Sequence, residues 1–197
     1  MPTTLTASYL RFFLLLFVLI QRSDASFGQG ASYPIKEWVR KLSSKSAPSL
    51  SGVWEILPAL ANKDSATAVN LFNDLESQGN PLNAYFNSRL NLTKAAYFNG
   101  IRASARLIEN LLDKSINAAY ETDDDSLISE VSWQYGSRMY YLSKLELASL
   151  HCLNAAEIDE RIDRHISVGK YGTLVDILYL RTIQVILSLI SLILESH

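Results

Sequence analysis

The sequence predicts an all-α protein, and two observations carry that expectation. From Val53 onward apolar residues recur at helical spacing and almost nowhere alternate strictly, which is the pattern of helices and not of strands. Glycine and proline meanwhile retreat to sparse punctuation points such as Pro58, Gly79-Asn80-Pro81 and Gly100.

The chain begins with no acid and one base, Arg11, followed by the apolar stretch Phe12-Phe-Leu-Leu-Leu-Phe-Val-Leu-Ile20. That layout predicts a secretory signal peptide over residues 1–25, with Ser23 and Ala25 at the two positions a signal peptidase reads and cleavage after Ala25. Nine apolar residues are too few for the ~20 that cross a bilayer as a helix. The roughly 170 residues that follow suffice for one domain with a real core. A formal net charge of −2 offers no basic stripe to neutralise phosphates, so nucleic acid is not an expected partner. Cys152 is the only cysteine, which excludes an internal disulfide.

Residues 26–52 are rich in Ser and Gly, contain Pro34 and Pro48, and predict a flexible lead-in with one short helix near Trp38-Val39. The helical domain then spans 53–197. Asp64-Ser65 is a good helix cap, and Ala68, Leu71, Phe72 and Leu75 share one face before Gly79 ends the helix. A second helix, from about Leu82 to Phe98, carries Tyr85, Leu92, Ala95 and Ala96, and Asn99-Gly100 breaks it. A third, Ile101 to Tyr120, places Ala105, Ile108, Leu111, Leu112, Ile116 and Ala119 at helical spacing. The acidic connector Glu121 to Asp125 lacks the central glycine and distal glutamate of a calcium loop. Asp124 and Asp125 are therefore expected to cap and charge-complement the next helix.

Residues Ser126 to Glu160 contain Tyr135-Gly136, then Ala148 twelve positions after the glycine and Ala155 seven further on. This resembles a tetratricopeptide repeat. In that family small residues mark where the two helices of a hairpin approach closely, a helix-packing role the resemblance assigns to Gly136, Ala148 and Ala155. It implies an antiparallel helix-hairpin solenoid, a short array. The segment departs from the pattern at Cys152, Tyr140 and Glu160. Upstream, Leu92-Thr93, Tyr97-Phe98, Gly100 and Ala105 align with Tyr135-Gly136, Tyr140-Tyr141, Ser143 and Ala148, whereas Asn117-Ala118-Ala119 aligns with Asn154-Ala155-Ala156 at a shorter offset. The second helix of the upstream unit should accordingly be longer by nearly two turns. Tyr171-Gly172 restarts the pattern, but Gln184, Ser188 and Ser191 degrade it, so the last unit, about 165–197, is expected to be degraded or truncated.

The order of a leader, Leu57-Pro-Ala-Leu-Ala-Asn-Lys-Asp-Ser-Ala-Thr-Ala68 and Ser129-Glu-Val-Ser-Trp-Gln-Tyr-Gly136 also resembles the extracytoplasmic front of sensor histidine kinases of Bacteroidetes. The resemblance implies the ligand- or partner-binding region of a two-component receptor, periplasmic or in the cell envelope. Alternatives are a free-standing periplasmic scaffold and an unrelated secreted helical bundle. The kinase part itself is missing: no phosphoacceptor box surrounds His151, His165 or His197, and no ATP lid follows.

No His-Glu-x-x-His, Cys-x-x-Cys or Gly-x-Ser-x-Gly occurs, so neither an enzyme nor a cofactor is expected. His151 and Cys152 are adjacent and point about 100° apart on a helix, so they cannot face one metal together, and Cys152 is expected to be a small buried hydrophobe. Asn91-Leu-Thr93 has the glycosylation pattern but lies inside an expected helix. Glu157 to Arg164 alternates acids and bases like a solvated helix end. By analogy with the concave face of the repeat, a protein or peptide partner would meet Glu130, Trp133, Ser137, Tyr140 and Tyr141. Trp133 and one tyrosine also suit a core role. The apolar tail Ile177 to Leu194 reads either as a membrane span or as a closing helix; Arg181 and Gln184 weigh against lipid. Membrane association could thus run through the leader or this segment.

Overall fold

The computed structural model describes residues 33–61, 63–165 and 168–195; the signal peptide expected over 1–25 and its cleavage site lie outside them. The described residues form eight helices and no strand: α1 Ile35–Ser43, α2 Ser51–Leu60, α3 Ser65–Gln78, α4 Ala84–Gly100, α5 Ala105–Tyr120, α6 Asp125–Tyr141, α7 Leu145–Arg161 and α8 Val168–Glu195.

Local chemistry sets the helix starts. Asp64 accepts the Thr67 N–H, Asn83 that of Phe86, Ser104 that of Leu107, and Asp124 those of Ser126 and Leu127. Each such cap stabilises by ~0.5–2 kcal/mol. The Asn83 cap is why α4 begins two residues later than apolar Leu82 suggests; Leu82 itself is exposed. Residues 101–104, expected to be helical, form a turn instead, with Arg102 at φ 57°. Ser143 and Asp163 adopt the same left-handed conformation, at φ 60° and 52°. After each of the three, one N–H reaches back five residues: Ala103 to the Phe98 carbonyl, Lys144 to Met139 and Arg164 to Asp159. These bonds close α4, α6 and α7 by the same device without a glycine.

α4 packs most extensively on α5 and α6 on α7, while α5 meets α6 and α7 meets α8. The second hairpin has nearly the helix lengths and spacing of the first. Helix starts Ala84 and Asp125 stand 41 residues apart, and Ala105 and Leu145 stand 40 apart. Equivalent positions share burial: Phe86 with Leu127, Leu90 with Val131, Ala95 with Gly136, Ile108 with Ala148, Leu112 with Cys152. α5 has 16 residues and α7 has 17, so the upstream second helix is not longer by two turns. The aromatic pairs Tyr97-Phe98 and Tyr140-Tyr141 suggest an offset two residues too large, because they occupy different faces.

The described part of the 26–52 lead-in is helical and packed: Trp38, Leu42 and Leu50 are buried, and α1 and α2 lie against α4. Arg89 of α4, 0 % exposed, fastens it. Its Nη1 donates to the carbonyls of Lys41, Leu42 and Ser44 at 3.2, 2.9 and 2.7 Å, Nε to Ser49 at 2.7 Å, and Nη2 to Ala47 at 3.4 Å. One guanidinium therefore terminates α1 and orders the loop to α2. At the other end, where a degraded unit is expected, the chain forms one helix of 28 residues, α8.

Candidate partner-binding surface

The flank of α6 that faces α7 is built for closeness. A Cβ on Gly136 would lie 2.4 Å from Cys152 Sγ and 2.9 Å from the Ala148 carbonyl, so a hydrogen is all that fits. Ala148, Cys152 and Ala155 are buried beside it, and Ser129 Oγ donates to the Ala155 carbonyl at 3.3 Å and to Asp159. Asp159, buried, accepts at the same oxygen, Oδ1, from Arg164 Nη1 at 3.5 Å.

On another side of α6, Glu130, Trp133, Ser137 and Tyr140 follow one another at three- and four-residue steps and so share one stripe. All four are half-buried, while Tyr141 beside them is 64 % exposed. The rings of Tyr140 and Tyr141 meet edge to face with centroids 5.6 Å apart. Glu130 pairs with Arg164 at 3.2 Å. Burial pushes the Tyr140 phenol above its ordinary pKa, assisted by the charge of Asp176 on α8. The Tyr140 end of the stripe thus borders α8, and the exposed ring beside it is Tyr141. Asp125 binds Arg161 at 2.6 Å across the start of the hairpin, leaving Asp124 and Asp125 occupied as cap and ion-pair partner.

The positions on α4 equivalent to that stripe carry Arg89, Leu92, Ala96 and Asn99; Arg89 and Leu92 are buried, Arg89 beneath the end of α1 and the loop to α2. Sequence reasoning missed Arg89. The signal was available, since Arg89 follows Phe86 by three residues and precedes Thr93 by four, placing a charge on a buried face that must then be satisfied.

A polar cluster joins α5, α6 and α7. The Tyr135 hydroxyl donates to Asp113, His151 stacks on the Tyr135 ring at 3.8 Å, and Lys144 pairs with Glu109. Burial raises the Tyr135 pKa, with the Asp113 bond adding to it, and lowers that of His151 against the opposing charge of Asp113. The neutral form of the histidine is therefore favoured, and its ring packs on Tyr135. Among the described residues no group of three or more His, Cys, Asp or Glu side chains is placed to hold a metal ion. No family model matches the chain, and neither a curated protein nor a solved structure matches it.

Proposed function

We propose that this chain is an exported helical-repeat interaction module that binds a protein or peptide partner along α6, in a binding and not a catalytic role. The observation that carries the proposal is the pair of hairpins of closely matching helix lengths and spacing, α4–α5 and α6–α7, each resting on the next helix, with the edge-to-face rings of Tyr140 and Tyr141 on α6. Stacked hairpins that bury faces none could bury alone are the physical basis of a solenoid, and the contact of each hairpin with the helix that follows it supports that reading. Small residues at the α6–α7 contact support kinship with tetratricopeptide repeats. The 40 and 41-residue offsets depart from the 34 of that family and approach the 40–47 of HEAT and armadillo units. The sensor region of an envelope receptor is the setting that the leader and the resemblance to histidine kinase sensors support.

The test is photo-crosslinking in the native host with a benzophenone side chain at Tyr141, using exposed Leu107 on α5 as control. A discrete adduct from position 141 alone, weakened when Trp133→Ala is added without a fall in Tm, is the expected result. Equal labelling from both positions would remove the proposal.

A further inference from the structure

From Leu178 to Ser191, α8 divides into two unequal sides. At 3.6 residues per turn, the apolar side chains Val185, Leu178, Ile186, Tyr179, Leu187 and Leu180 sweep an arc of about 220°. All six are exposed. Thr182, the one polar residue inside that arc, returns its hydroxyl to the Leu178 carbonyl at 2.8 Å. Arg181, Gln184, Ser188 and Ser191 align in the narrow remaining stripe, and this stripe continues the line of Ile177, which is buried. Arg181 is fixed to the protein body by a 2.7 Å bond to Ser149 Oγ of α7.

A partner helix covers an apolar face of about 100°. An arc twice that width is matched by an environment that is apolar on several sides, which a lipid leaflet provides and one copy of a helix does not. The segment Gly172–Ser191 is also long and apolar enough to cross a membrane. Crossing, however, would put Arg181 at the middle of that segment, the depth at which a charge is most unfavourable, and would detach it from Ser149. We infer that α8 lies in the plane of a lipid leaflet, its apolar arc in the acyl region and its Arg181–Ser191 stripe turned toward the protein and water, so that the helix is a monotopic anchor. Zwitterionic lipid suffices, because the contact is apolar.

The experiment is flotation of the full chain with phosphatidylcholine vesicles, followed by depth measurement. The chain is expected to float, and Ile186→Asp with Ile190→Asp to reduce the floated fraction about tenfold or more at unchanged Tm, since both side chains are exposed. Nitroxides on cysteines replacing Tyr179, Ile186 and Ile190, three positions on one line of the helix, then report depth; native Cys152 is buried. Equal depths support the in-plane anchor. Depths graded over about 16 Å from position 179 to 190, as in a spanning helix, overturn it. So does flotation that survives the double aspartate variant, or concentration-dependent self-association in place of lipid binding.

Discussion

The two hairpins have closely similar helix lengths and different interiors. α4–α5 places Ala95, Ile108, Leu112 and Ser115 where α6–α7 places Gly136, Ala148, Cys152 and Ala155, and all eight are buried. Every substitution from the first to the second removes volume, apolar or polar. At Gly136 no methyl fits, whereas Ala95 holds one in the same place. Helix length and turn geometry are thus set by caps and left-handed turn residues, and the separation of the helices is set independently by side-chain size. Outside the hairpin interface the contrast reverses. Arg89 is sunk among five carbonyls, while its counterpart Glu130 holds a partly exposed ion pair.

That last contrast gives the largest expected effect. Arg89→Ala strips the donors from the end of α1 and the loop to α2 and leaves their carbonyls facing a void, a loss of about 3–5 kcal/mol. Glu130→Ala removes an ion pair that solvent already weakens, a loss under about 1 kcal/mol. Denaturant midpoints of the two variants, with equal m-values, measure the difference. Similar losses would mean that the lead-in contributes nothing to the fold beyond its own contacts.

Much of this architecture was legible in the residues. The helix type, the Asp64 cap, the α3 face of Ala68, Leu71, Phe72 and Leu75, and the capping role of Asp124 all follow from local chemistry, and the structure has each. The register between hairpins was not legible. Tyr97 and Phe98 invite alignment with Tyr140 and Tyr141, yet their structural counterparts are Arg138 and Met139. The interface asks for volume and not for identity, so Ser115 and Ala155 can be equivalent without resembling each other. Arg102, Ser143 and Asp163 likewise give no glycine signal where the chain turns left-handed. The stripe on α6 follows from analogy with the repeat and not from the residues themselves; the residues suggest a core role only for Trp133 and one tyrosine, whereas all four positions of the stripe are half-buried.

Exchanging the small residues sharpens the claim that size sets helix separation. Gly136→Ala drives a methyl into Cys152 Sγ and into the backbone of α7, and should destabilise by about 1–3 kcal/mol despite alanine's better helix propensity. Adding Cys152→Ala relieves the sulfur contact but not the contact at the Ala148 carbonyl, so rescue should be partial. The reverse exchange, Ala95→Gly, costs about 1–2 kcal/mol through propensity and one lost buried methyl. If Gly136→Ala stabilises, the hairpin is looser than its contacts indicate.

The smallest effect distinguishes the hairpins by pH. His151 occupies the position of buried Leu111, stacked on Tyr135, and burial lowers its pKa below the ordinary 6.5. The unfolded chain then binds the proton more readily than the folded one, so stability tied to the neutral ring is complete above about pH 6.5 and declines as pH falls below it. His151→Leu, which installs the residue of the first hairpin, should change stability at pH 7.5 by no more than the ~0.5–1.5 kcal/mol of an aromatic stack, and should flatten the decline between pH 7 and 5. Asp113→Asn acts oppositely, since the Asp113 charge favours the protonated ring, and should steepen that decline. Thermal melts of the three proteins across this range decide the matter: parallel curves would show that His151 titrates alike in both states and that the two hairpins do not differ in their response to acid.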